Sequence, residues 1–163
     1  MLKTERLELH PFEARDAATL HRQWNDPEVR RYLFDGGPVS MALVRSQIAS
    51  SRRWFRERGF GFFTVRRARR VIGFVGLRPF HAGRRVELLY ALRPAHQGRG
   101  YATEAAAAVL RLGFGRGLRS IWAGADPPNR ASFRVMRRLA FRPAERLVLG
   151  GRSVHYYRLW RSR

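Results

Sequence analysis

The chain has 163 residues, with no cysteine, a single lysine and few acidic groups. The lack of cysteine excludes disulfides, thiolate metal ligands and a cysteine nucleophile that would carry a covalent intermediate. Its histidines show no metal-ligand spacing, so no metal site is expected. No apolar run approaches the roughly 20 residues that a membrane-spanning helix needs. Met1 to Arg6 lacks the apolar stretch of a secretory signal. These absences predict a cytoplasmic protein without membrane contact. The length suits one domain, residues 1–163, with a core that needs no staples.

Arginine is what the chain has in excess. Of 33 basic residues only Lys3 is lysine, and the 12 acidic residues leave a formal charge of +21. Such a charge suits a nucleic-acid binder, because phosphate contacts dominate that affinity. The arginines are nevertheless scattered through every element, and beside many alanines they read as a coding bias toward G and C. On either reading the field draws anions and repels free polycations.

Alternation of apolar and polar residues predicts a first strand over Thr4–His10. Helical spacing follows over Glu13–Trp24, stopped by Asn25-Asp26-Pro27. Ser40 fits the N-cap of a helix through Arg58, and Gly59 fits its C′ position. Phe60–Arg66, Val71–Pro79 and Val86–Leu92 read as strands joined by hairpins. A helix over Thr103–Gly115, a strand over Leu118–Ala125 and a helix over Asn129–Leu139 come next. Phe141–Leu149 and Ser153–Trp160 pair across Gly150-Gly151. The expected class is α/β (mixed α+β), with about seven mostly antiparallel strands and helices on both faces.

The most informative stretch is Leu92 to Ala105. An apolar strand ends at Pro94, and Gln97-Gly98-Arg99-Gly100-Tyr101-Ala102 opens a helix through Thr103. Strand, glycine turn and helix in that order present free amides at a positive dipole end, a ready anion cradle. Taken alone, the glycines also fit an ordinary turn.

With that turn, the element order and a second segment, Asn129-Arg130-Ala131-Ser132 running to Arg138-Leu139-Ala140-Phe141, the chain resembles the GNAT family of N-acetyltransferases. Tyr101-Ala102-Thr103-Glu104-Ala105 resembles the branch holding the ribosomal-protein N-terminal acetyltransferases. The resemblance implies that the Val86–Leu92 and Leu118–Ala125 strands part like a V, with acetyl-CoA in the opening. Gln97 to Thr103 would then bind the pyrophosphate, the amides of Gly98, Arg99, Gly100, Tyr101, Ala102 and Thr103 forming the cradle. Main chain at Ala91 and Leu92 would pair with the pantetheine arm, one N–H polarising the thioester carbonyl. Asn129 would cap its helix and meet the pantetheine amides.

The implied activity is direct transfer of acetyl to a primary amine on a small molecule or at a protein N-terminus, with no metal. A ribosome-associated or acidic protein target agrees with the charge, and the enzyme would be a monomer or homodimer. Glu87 is the candidate base, set by alternation on the face of Leu89 and Ala91; a salt bridge to an arginine is its other reading. Many relatives place a proton-donating tyrosine seven residues after the helix-starting asparagine, where this chain has Met136. In the ribosomal-protein branch that the chain resembles, a serine three residues after the asparagine sits near the sulfur. The resemblance makes Ser132 the candidate hydrogen-bond donor to it; its other reading is a residue satisfying its helix's first turn. Ala140, where the family has glycine, argues against a left-handed helix end. His96 is expected at the surface. Of Tyr156 and Tyr157 only one faces inward, and Trp24, Phe34, Trp54 and Phe55 are expected mainly in the core. The alternative function is a silent acyl-CoA-sensing or RNA- and ribosome-binding basic module.

Overall fold

The computed structural model describes residues 1–33 and 36–162; Phe34 lies outside them. The described elements are β1 (Leu2–Lys3), β2 (Glu8–Pro11), α1 (Ala17–Trp24), α2 (Pro27–Arg30), α3 (Met41–Arg58), β3 (Phe62–Arg67), β4 (Arg70–Phe80) and β5 (Arg85–Leu92). They continue as α4 (Tyr101–Gly115), β6 (Ser120–Ala125), α5 (Arg130–Arg138), β7 (Arg142–Leu149) and β8 (Arg152–Trp160). The strands form one sheet in the order β1-β2-β3-β4-β5-β6-β8-β7, antiparallel except between β5 and β6.

Helices cover both faces because the strands alternate. Val86, Leu88 and Leu92 of β5 join a core with Ala105, Val109 and Met136 on the α4–α5 side. Leu89 and Ala91 pack toward Phe12, Leu20, Trp24, Val44 and Ile48 on the α1–α3 side. Full burial of such side chains contributes roughly 1.5–3 kcal/mol each. Trp24 belongs to that second core, with Trp54 packed against it, and Phe55 packs against the first.

Three sequence expectations are corrected. Thr4–Leu7 is a turn and not the start of a strand, so the sheet has eight strands. The Thr4 amide donates to the Leu7 carbonyl (2.9 Å) and the Leu7 amide to Thr4 Oγ1 (3.0 Å). Second, Asp26-Pro27 ends α1 but also starts α2: Asp26 Oδ1 accepts from the Glu28 amide (3.0 Å) and Pro27 takes the first helical position. Third, Ala140 is left-handed after all, with φ 63°.

The cause of the third is a Schellman end to α5. The Phe141 amide donates to the Met136 carbonyl (3.0 Å) and the Ala140 amide to Arg137 (3.1 Å). Phe141 and Met136 are both buried in one core, so two bonds and an apolar contact outweigh the strain on Ala140. Ala140→Gly is therefore expected to stabilise the fold by about 1 kcal/mol, read as a higher denaturant midpoint. A lower midpoint would refute strain at this residue.

The sheet's main irregularity lies between β5 and β6. Strands β4 and β5 stay in register from Gly73↔Leu92 to Phe80↔Arg85, whereas β5 and β6 share one pair, Glu87↔Trp122. Beyond that pair the strands part, which leaves one edge of Leu88–Leu92 without a strand partner among the described residues.

A clasp secures the segment that follows β5. Glu104 in the first turn of α4 accepts from Thr4 Oγ1 (2.6 Å), the Arg6 amide (2.9 Å) and Arg6 Nε (2.7 Å). Burial alone would raise the Glu104 carboxyl, but these hydrogen bonds and the Arg6 charge hold it below its usual range. Arg6 also donates to the Arg99 carbonyl (3.2 Å) and lies over the Tyr101 ring, bracing the glycine turn.

Candidate active site

A cleft of about 760 Å³ fills the opening between β5 and β6 and continues over the first turns of α4 and α5. Gln97, Gly98, Gly100, Tyr101, Ala102, Thr103, Asn129, Ser132 and Glu87 all line it. Residues from three separate stretches of sequence therefore meet in one cavity.

At one end lies the glycine turn. Gly98 (φ 73°) and Gly100 (φ 81°) are left-handed, and a Cβ on Gly98 would meet nothing within 4 Å. Gly100 is the N-cap of α4, which begins at Tyr101, two residues earlier than sequence patterning predicts. None of the amides from Gly98 to Thr103 donates to a backbone carbonyl among the described residues, as the geometry of a helix start requires. Gln97 folds back, its Nε2 donating to the Leu92 carbonyl (2.9 Å), and so ties the turn to β5. The Tyr101 ring is buried in the core, so only its main chain faces the cradle. Arg99 is exposed. His96 is half-buried; burial and then Arg99, Arg67 and Arg93 lower its pKa, and its Nδ1 has no hydrogen-bond partner among the described residues.

Along the wall, hydrogen-bond alternation decides which main-chain groups face the opening. The Arg93 amide donates to Ile72 (2.8 Å), which makes Leu92↔Gly73 a non-hydrogen-bonded pair and Ala91↔Phe74 a hydrogen-bonded one. Ala91 thus turns its main chain to β4, and its carbonyl also accepts from Gln23 Nε2 (3.4 Å). Tyr90 and Leu92 turn theirs toward β6.

Helix α5 supplies the facing wall. Asn129 Oδ1 accepts from the Ser132 amide (3.2 Å), the N-cap expected of it. The Ser132 carbonyl accepts from the Tyr90 hydroxyl (3.3 Å). Met136 is fully buried in the core and does not line the cleft.

At the vertex Glu87 is only 3% exposed. Its cross-strand neighbour Arg78 donates through Nε (2.9 Å) and Nη2 (2.8 Å), both to Oε2. This ion pair compensates a carboxylate that would otherwise be costly to bury. Tyr156 is the inward-facing member of the tyrosine pair, stacked on Phe80 at 5.1 Å. Burial and the nearby Glu87 charge push its phenol up, so it stays protonated. Arg78, Tyr90 and Tyr156 were not singled out as a group by sequence; only register brings them to the carboxylate and to α5.

The chain is similar to known proteins over most of its length. Residues 6–142 match the family model described as an acetyltransferase (GNAT) domain. An uncharacterized N-acetyltransferase, p20, of Bacillus licheniformis is 31% identical over 86% of this chain and 81% of its own. An acetyltransferase from Agrobacterium tumefaciens superposes with a TM-score of 0.82 at 24% identity, covering 98% of this chain and 94% of that one. RimL, a ribosomal alpha-N-protein acetyltransferase solved with coenzyme A, gives 0.80 at 19% identity, covering 96% and 95%. The chain belongs to the GNAT family of N-acetyltransferases.

The residues at the glycine turn fit an acyl-CoA pyrophosphate. Besides the free amides, Thr103 Oγ1 is buried with no hydrogen-bond partner among the described residues. Thr103→Val should weaken acetyl-CoA binding about tenfold by calorimetry, the loss of one hydrogen bond to a charged group. Its melting temperature should hold or rise, since an unsatisfied polar atom has been removed. Unchanged affinity would exclude the hydroxyl from the cradle. Among the described residues no cluster of His, Cys, Asp or Glu could hold a metal ion, and no helix is long and apolar enough to cross a membrane.

Proposed function

We propose that the chain, acting as one catalytic domain, moves acetyl directly from acetyl-CoA to a primary amine, with a protein N-terminus as the favoured acceptor. The continuous cleft from the glycine turn past Asn129 and Ser132 to Glu87 supports this reading. The pyrophosphate sits on the amides from Gly98 to Thr103, and the pantetheine arm runs along the edge groups of Tyr90 and Leu92. The amine nitrogen attacks the thioester carbon, an edge N–H stabilises the oxyanion, and the C–S bond then breaks. Glu87 receives the amine proton directly or through water. An α-amino group, with a pKa near 8, presents a smaller deprotonation barrier than a lysine near 10.4. The likeness to RimL supports an N-terminal acceptor, and the +21 charge supports an acidic one.

The test is thiol release from acetyl-CoA over a panel of amines and acidic peptides, with the acetylated product identified by mass. Release with α-amino peptides ahead of lysine side chains and polyamines is expected. CoA binding without release on any amine would favour the silent sensing module. One observation supports a nucleic-acid reading instead. A second cleft, of about 650 Å³, gathers His81, Arg84, Arg85, Arg119 and Arg158 around Trp122. Arg85 and Arg158 lie over the Trp122 ring at 4.1 and 4.8 Å. Tight RNA binding at physiological salt with a steep salt slope would support that reading.

A further inference from the structure

Resting on the acetyl-transfer reading, we infer that the Tyr90 hydroxyl is the hydrogen-bond donor that receives the negative charge developing on the leaving sulfur, in place of the helix tyrosine that Met136 replaces. Four observations converge on it. Tyr90 lines the cleft, on the edge of β5 that parts from β6 and that the proposed pantetheine path follows. Its side chain reaches across the opening to the first turn of α5, where its hydroxyl donates a hydrogen bond to the Ser132 carbonyl. That bond is 3.3 Å long, well beyond the usual ~2.7–2.8 Å for O–H···O. A hydroxyl held so loosely by a neutral carbonyl turns readily to a stronger, charged acceptor. Finally, Met136 is buried away from the cleft and has no proton to offer, so the helix position cannot serve.

The proton balance follows from acidity. Burial pushes the Tyr90 phenol up to about 12, whereas an ordinary thiol titrates near 8.5. A phenol that weak does not surrender its proton to a thiolate. As the C–S bond breaks, the electron pair goes to sulfur, the Tyr90 O–H turns to it, and the proton stays on oxygen. The thiolate takes its own proton from water afterwards, while the proton lost by the amine goes to Glu87 or to solvent. Tyr90 thus stabilises the leaving group without being consumed, and Ser132, whose carbonyl holds the hydroxyl between turnovers, positions it.

Tyr90→Phe removes one oxygen and keeps the ring in place. With a responsive amine, kcat is expected to fall about ten- to a hundredfold, with KM for acetyl-CoA within twofold. A second readout does not depend on turnover: calorimetric affinity for CoA as a function of pH. Wild type should lower the thiol pKa of bound CoA below that of free CoA, giving affinity that rises with pH across that range. Tyr90→Phe should flatten this rise by about tenfold at its alkaline end. The wild-type arm stands even if the variant fails to fold. A bound thiol with the pKa of free CoA overturns the inference, as does a folded Tyr90→Phe that keeps wild-type kcat and pH dependence. Wild type that binds no CoA at any pH would instead sink the acetyl-transfer reading beneath it.

Discussion

Glu87→Gln is expected to lower kcat about a hundredfold while leaving acetyl-CoA affinity within twofold, the size of effect a positioned base supplies. Glutamine keeps the shape and can still accept a hydrogen bond from Arg78, but it cannot take a proton. Glu87 lies far along the cleft from the glycine turn, so the donor's phosphates are held by groups the substitution does not touch. The competing role is structural: Glu87 pairs with Arg78 on the neighbouring strand and sits beside Tyr156. If that is its whole role, the variant melts lower and turns over normally. Measuring kcat, affinity and melting temperature together separates the two, and intact kcat would end the catalytic assignment.

The second large effect concerns a glycine with no chemistry of its own. A Cβ on Gly73 would lie 2.3 Å from the Ala91 carbonyl oxygen, 2.5 Å from Leu92 Cδ2 and 3.0 Å from Leu92 Cα. Two of these atoms are backbone of β5, so the strain has no flexible side chain to absorb it. Gly73→Ala is expected to cost about 2–3 kcal/mol of stability, within the range for overpacked cores. Because the displaced residues form the cleft wall, KM for acetyl-CoA should also rise severalfold, whereas Ala140→Gly should leave it unchanged. A Gly73→Ala enzyme with wild-type KM would show that β4 yields rather than β5.

What was legible in the sequence was local. The glycine turn, the Asn129 and Ser40 caps and the left-handed Gly59 depend on residues within a few positions of each other. Glu87 could be assigned a face because strand alternation needs no partner. Long-range partners stayed out of reach. Thr4 and Arg6 read as strand until Glu104, about 100 residues on, is seen to draw them into a turn. Arg78 opposite Glu87, and Tyr90 against Ser132, are products of register and of the placement of α5. Ala140 was misjudged from its intrinsic preference, because the burial of Phe141 that outweighs it is tertiary. The rest of the cleft lining is illegible for a similar reason: Arg31, Leu149 and Arg152 come to it from elements that are remote in sequence.

The lone Glu87↔Trp122 rung gives the molecule a mechanical character as well. Strands β1–β5 and β6–β8 are two half-sheets stitched at one point, with α4 as the covalent strap between them. Beyond that rung no backbone ladder joins them among the described residues, and a shared core with Leu77 and Leu88 from one half and Ile121 and Met136 from the other holds them together. Glu87 thus stands where the two half-sheets join, whereas the cleft's outer rim is lined by residues of α2 and the β7–β8 hairpin.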